Sequence, residues 1–172
     1  QDLIQKFKPV RLDAEKYLKR TQSIRRENIK LDTDYQRYPQ VKDQALRLIA
    51  ESPQDPLAYY YLGEAMRGHL EAINDLLIQK PGETWRKMTP EENKFSAQEF
   101  RRIGEEAYHK AIELDAQFSL AYRGLGLYAK QQGEVETARR HFQKYLEINP
   151  KAKDRRGIRY YLSEITTDAA QS

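Results

Sequence analysis

Histidine is the side chain best suited to moving protons or holding a metal near neutral pH, and this chain carries three: His69, His109 and His141. A metal pair on one helix face needs a second ligand three or four residues further on. The i+4 positions hold Ile73, Glu113 and Tyr145. Glu113 after His109 is the nearest candidate, and such a pair is ordinarily a surface contact between helical neighbours. The sequence contains no cysteine, which removes thiolate nucleophiles, thiolate metal sites and disulfides. HExxH, a phosphate-cradling glycine loop, GxSxG and the DxDxDG calcium loop are all missing. The expectation is a chain with no catalytic residue, no metal and no cofactor. Its chemistry must then lie in a surface.

Charge is the first surface property. The net charge is +4 and unevenly spread. Residues 1–30 hold nine Lys/Arg against four Asp/Glu, and Lys151, Lys153, Arg155, Arg156 and Arg159 surround Asp154. A nucleic-acid binder shows a stronger and more continuous basic bias, so no nucleic-acid partner is expected. Arg155, Arg156 and Arg159 read as the polar outer face that a terminal helix needs; the competing reading is an anionic lipid or acidic partner. Mean hydropathy is −0.92. No run approaches the roughly 18 apolar residues of a membrane-spanning helix. Gln1 rather than Met at the start suggests a processed or excised chain.

The elements that position this surface repeat themselves. From Ser119, Tyr122, Leu125, Gly126, Ala129, Gly133, Ala138, Phe142, Tyr145 and Pro150 fall at positions 4, 7, 8, 11, 15, 20, 24, 27 and 32 of one unit. Gly126 and Ala138 are small where two helices would cross closely. Gly133 sits in the turn ending the first helix, and Pro150 stops the second. The pattern resembles the tetratricopeptide repeat (TPR), a helix–turn–helix unit of 34 residues. Tyr145 departs from it, being large where the family prefers alanine.

A second unit starts at Pro56, with Tyr59, Leu62, Gly63 and Met66 at positions 4, 7, 8 and 11. Its partner helix is found only at Gly104, Tyr108, Ala111 and Leu114, so 29 residues are inserted between the helices. Within the insertion Leu70, Ile73, Leu76 and Leu77 extend the helical stripe, Pro81-Gly82 marks a turn, and Thr89-Pro90-Glu91-Glu92 reads as a helix start. Both helices are expected to lengthen by about ten residues, about 15 Å, into a projecting helical hairpin. Upstream, Val41, Ala45, Leu48 and Pro53 match a second helix. The preceding one holds Arg25, Asn28 and Ile29 where the family has aromatic, Leu and Gly, a degenerate repeat. Residues 12–31 read as helical on a loose stripe of Leu12, Tyr17, Leu18 and Ile24. Downstream, Ile158, Tyr161, Leu162 and Ile165 mark a closing helix.

The predicted fold is thus all-α: a short TPR-like superhelical array of antiparallel helix pairs with one elongated helical hairpin, in a single domain. Its parts are N-terminal helices and a degenerate repeat (1–55), a repeat with an inserted hairpin at about 70–99 (56–118), a well-matched repeat (119–152), a capping helix (153–166) and a fraying tail (167–172).

The resemblance implies a protein-interaction module, an adaptor or scaffold, with a groove lined by the first helices of successive repeats. Carried over position by position, the groove residues are Leu57, Tyr60, Glu64 and Arg67 from one unit and Leu120, Arg123, Leu127, Lys130 and Gln131 from the next, with Tyr161 from the closing helix. That mixture suits a peptide bearing both apolar and acidic side chains. The family's chaperone-tail clamp uses Lys and Asn where this chain has Arg123 and Leu127, so that activity is not expected. A second contact surface is expected at the hairpin tip, with Leu76, Leu77, Trp85, Met88 and Phe95 docking a partner or mediating self-association. The run from Ala121 through Leu162 also resembles the repeat region after some M48-type metallopeptidase domains and in some bacterial envelope lipoproteins. That implies an alternative role as an accessory domain in the periplasm or cell envelope.

Overall fold

The computed structural model describes residues 19–72, 77–78 and 86–169. Among them, helix α1 covers residues 19–34. It is followed by α2 (Tyr38–Glu51), α3 (Pro56–Ala72), β1 (Leu77–Ile78), β2 (Arg86–Lys87), α4 (Pro90–Leu114), α5 (Ser119–Gln131), α6 (Val135–Ile148) and α7 (Arg155–Ala169). Among the described residues the fold is all-α apart from one antiparallel two-residue ribbon, in which Leu77 pairs with Lys87 and Ile78 with Arg86.

Breaker residues set the helix ends. Helix α2 stops at Glu51 and α6 at Ile148, each with one residue left before a proline that disfavours helical backbone behind it. Helix α5 stops at Gln131, and Gly133 turns the chain with φ +72°, a conformation strained for any residue with a side chain. Helix α4 starts as the sequence predicts. Thr89 accepts from the Glu92 amide while Glu92 accepts from the Thr89 amide at 2.9 Å, closing a capping box ahead of Pro90. Arg86 from the ribbon then donates to both carboxylate oxygens of Glu92, at 2.8 and 2.9 Å.

The insertion differs in part from the expectation. Helix α3 is described from Pro56 to Ala72, and α4 has 25 residues spanning about 37 Å. Leu77 lies in a strand, where a continued helical stripe was expected. Leu12, Tyr17, Leu18, Ile73, Leu76, Pro81-Gly82 and Trp85 lie outside the described residues. Helix α7 runs to Ala169, past the expected helix end at residue 166.

Packing runs between sequence neighbours, α2 on α3 through to α6 on α7, and α3 also touches α5. Three apolar clusters follow one another along the chain. Ile29, Val41, Ala45, Leu48, Ala58 and Met66 form the first; Tyr108, Ala111, Ala121, Leu125 and Tyr128 the second; Ala138, Phe142, Tyr145 and Ile158 are in the third. Ile29 therefore serves the core at the position where a small residue was missing.

Glycines let aromatic rings lie directly on neighbouring helices. A Cβ on Gly63 would fall 2.5 Å from Tyr108 Cε1, and one on Gly124 only 2.3 Å from Tyr108 Cζ. The Tyr108 ring of α4 is thus held between glycines of α3 and α5. Phe142 meets Gly126 in the same way, at 2.7 Å. Close approach of this kind maximises dispersion contacts and excludes any side chain at those positions.

Candidate functional site

Nine of the ten residues expected to line a groove lie on α3 and α5, and the tenth, Tyr161, lies on α7. They fall into two groups. The first is a buried polar network at the α3–α5 contact. Glu64 is 5% exposed. Its carboxylate accepts the Tyr108 hydroxyl at 2.5 Å and Arg67 Nη2 at 3.0 Å. Arg67 also donates to Glu71 at 2.7 Å, and Gln131 of α5 donates to the same Glu71 oxygen at 3.2 Å. A buried charge is tolerated only when paired and hydrogen-bonded, as this one is. Burial would lower the Arg67 pKa, but the adjacent Glu64 carboxylate raises it, so the guanidinium stays charged.

Three phenols surround this network. Burial, reinforced by Glu64, raises the pKa values of Tyr60 and Tyr108, and burial raises that of Tyr128. All three stay protonated at neutral pH; Tyr108 donates to Glu64, while the buried Tyr128 hydroxyl has no hydrogen-bond partner among the described residues. Tyr60 sits edge-on to Phe118 with ring centres 5.8 Å apart, and 6.2 Å from Tyr108. Leu57 and Leu120 are half-buried on the edges of two apolar clusters.

The second group is open. Arg123 donates to Asp154 Oδ2 at 2.5 Å, and Tyr145 donates to Oδ1 of the same carboxylate at 2.6 Å. Burial raises the Asp154 pKa, but these two donors outweigh it and hold the group below its ordinary value. The large Tyr145, out of pattern in the sequence, thereby anchors the approach to α7. Lys130 places its ammonium 4.5 Å above the Tyr161 ring centre, a cation–π contact. Between these groups lies a pocket of about 260 Å³, lined by Arg123, Leu127, Lys130, Phe142, Asp154, Gly157, Ile158 and Tyr161.

The structure therefore brings Arg123, Leu127, Lys130 and Tyr161 together around one cavity, while Glu64 lies inside the protein. Four lining residues are not among those expected from the sequence to face a groove: Phe142, Asp154, Gly157 and Ile158. The last three share with Tyr161 an i, i+3, i+4, i+7 face of α7 and its approach. That periodicity, begun one turn before Ile158, is the signal that would have found them.

At the hairpin, Phe95 is 71% exposed on α4, Met88 is half-buried beside β2, and Leu77 lies in β1; Leu76 and Trp85 are outside the described residues. The histidines stand elsewhere. His69 is buried and stacks on Phe100 at 5.1 Å, and burial together with Lys42 lowers its pKa. His141 is lowered by burial, His109 and Arg140. Among the described residues no three His, Asp or Glu side chains gather as a metal site would require, and no helix is long and apolar enough to cross a membrane. The chain matches no family model and no curated protein.

Proposed function

We propose that this chain is a TPR-like interaction module without catalysis of its own, which binds a peptide segment of a partner protein along the face shared by α3, α5 and α7. One observation carries this reading most directly. The first helices of successive units, α3 and α5, touch each other and share the Tyr108 ring between Gly63 and Gly124. Such contact between like helices is the stacking that repeat arrays use to build an extended binding surface. The residues left open on that surface are Leu127, Lys130 and Tyr161, an apolar and cationic set suited to a peptide with apolar and acidic side chains.

The test is selection of short displayed peptides on the wild-type chain, followed by Leu127→Asp with Lys130→Glu. The double variant is expected to lose at least about tenfold in affinity with an unchanged far-ultraviolet dichroism spectrum. Equal binding by the variant would refute the reading.

Phe95, 71% exposed on the long helix α4, is the residue on which a second contact site would rest. Self-association or partner docking through this hairpin should vanish when residues 72–97 are replaced by a short turn. Light scattering after size exclusion reads the result, and an unchanged oligomeric state with unchanged partner binding refutes it.

A further inference from the structure

The described glycines sort by what requires them. Gly63, Gly68, Gly104, Gly124 and Gly126 each face an aromatic side chain that a Cβ would strike at under 3.0 Å. Gly133 is required by its positive φ. Gly157 has neither reason. A Cβ there would meet nothing within 4 Å, and its backbone is ordinary helix inside α7. Gly157 is the third residue of α7, where helical backbone admits any side chain, so neither packing nor backbone requires glycine there. It does line the pocket between α5, α6 and α7.

The pocket suggests what the missing side chain leaves room for. Small-molecule sites are about 300–1,000 Å³; at about 260 Å³ this one falls just below that range and is wide enough to admit one bulky side chain. Its floor is apolar, from Leu127, Phe142 and Ile158. The acid within it, Asp154, is occupied by Arg123 and Tyr145. One cation on its lining is unpaired: Lys130 is exposed and, among the described residues, makes no ion pair. An apolar recess beside an unpaired cation is complementary to an apolar side chain next to a carboxylate.

We infer that Gly157 opens a receptor pocket for one bulky apolar side chain carried on an acidic peptide segment. This rests on the groove reading above and names its specificity: the size of residue 157 sets how large an anchor the site takes, and Lys130 favours a neighbouring carboxylate. A partner segment would insert a Leu-sized side chain over Ile158 and between Phe142 and Leu127.

The experiment uses the full chain and three synthetic peptides: a central leucine between glutamates, the same peptide with alanine at the centre, and the leucine peptide with lysines replacing glutamates. Fluorescence anisotropy is expected to show the first binding at least about tenfold more tightly than either control, the scale of burying one such side chain. Gly157→Leu, which fills the recess from inside, should remove that preference while helicity is retained, and Lys130→Glu should weaken the acidic peptide alone. Equal affinity for the leucine and alanine peptides, or no effect of Gly157→Leu, overturns the pocket. If binding then still responds to the Leu127→Asp and Lys130→Glu double variant, the groove reading survives. If wild type selects no peptide at all, both fail. Sedimentation with phosphatidylserine vesicles that the acidic leucine peptide does not displace would reassign Lys130 to a membrane surface and overturn the proposal.

Discussion

Replacing Gly124 with alanine puts a methyl carbon 2.3 Å from Tyr108 Cζ and 2.5 Å from Cε1. Carbon atoms rest about 3.5 Å apart or more, so the ring must retreat by about 1.2 Å. Gly63 blocks the opposite side, where a Cβ would already be within 2.5 Å of the same ring. A shift of that size stretches the 2.5 Å bond from Tyr108 to Glu64 beyond hydrogen-bonding range. Losing a buried bond to a charged group costs about 1.5–3 kcal/mol, and overpacking adds about 1–3 kcal/mol. Removing a helical glycine returns up to about 1 kcal/mol. The net destabilisation is about 3 kcal/mol, or about 6–12 °C in Tm for a chain of this length. Gly157→Ala is the matched control. With nothing near its Cβ, in the first turn of α7, it should stay within about 0.5 kcal/mol of wild type or be slightly more stable. Urea titration and thermal melts by circular dichroism read both variants. If Gly124→Ala lies within about 0.5 kcal/mol of wild type, the ring is not wedged between the two helices and the reasoning fails.

Three further outcomes follow from the same geometry. Tyr108→Phe keeps the ring and removes the donor to Glu64, so the urea midpoint should fall by an amount equivalent to about 1.5–3 kcal/mol; an unchanged midpoint would mean the hydroxyl is not needed there. His69 has a lowered pKa in the fold, so the unfolded chain takes up its proton first as pH falls below about 6.5. Stability should therefore decline on acidification from pH 7 to 5, and less steeply in His69→Phe; parallel Tm–pH curves would contradict this. Thr89→Ala removes the acceptor for the Glu92 amide at the start of α4 and should cost about 1 kcal/mol by chemical denaturation.

Much of the helical framework was legible because it rests on local physics. Pro53, Gly133 and Pro150 end or turn helices wherever they occur, and Thr89 with Glu92 forms its cap from residues three apart. Other features depend on partners far away in sequence. Glu64 reads as an exposed groove carboxylate until Tyr108, 44 residues on, is seen to close over it. The ribbon of Leu77–Ile78 with Arg86–Lys87 is too short to carry any periodicity. The pocket face of α7 was hidden because Asp154 and Gly157 are polar or small, and a search for apolar stripes passes over them. Tyr145 looked like a departure from the repeat, and its use appears only when its hydroxyl meets Asp154.

Because the Tyr108 ring touches α3, α4 and α5 at once, no two of these helices can complete its burial without the third. An array whose units met only through interchangeable surfaces could open one unit at a time. Here the middle three helices share a single fully buried side chain, so they should exchange their slowest amide protons together, as one cooperative block. The first apolar cluster, around α1 and α2, and the last, around α6 and α7, border that block on either side. Opening then proceeds inward from the ends, and the α5–α7 pocket lies at the boundary, with one wall on the block and the other on a helix free to detach from it.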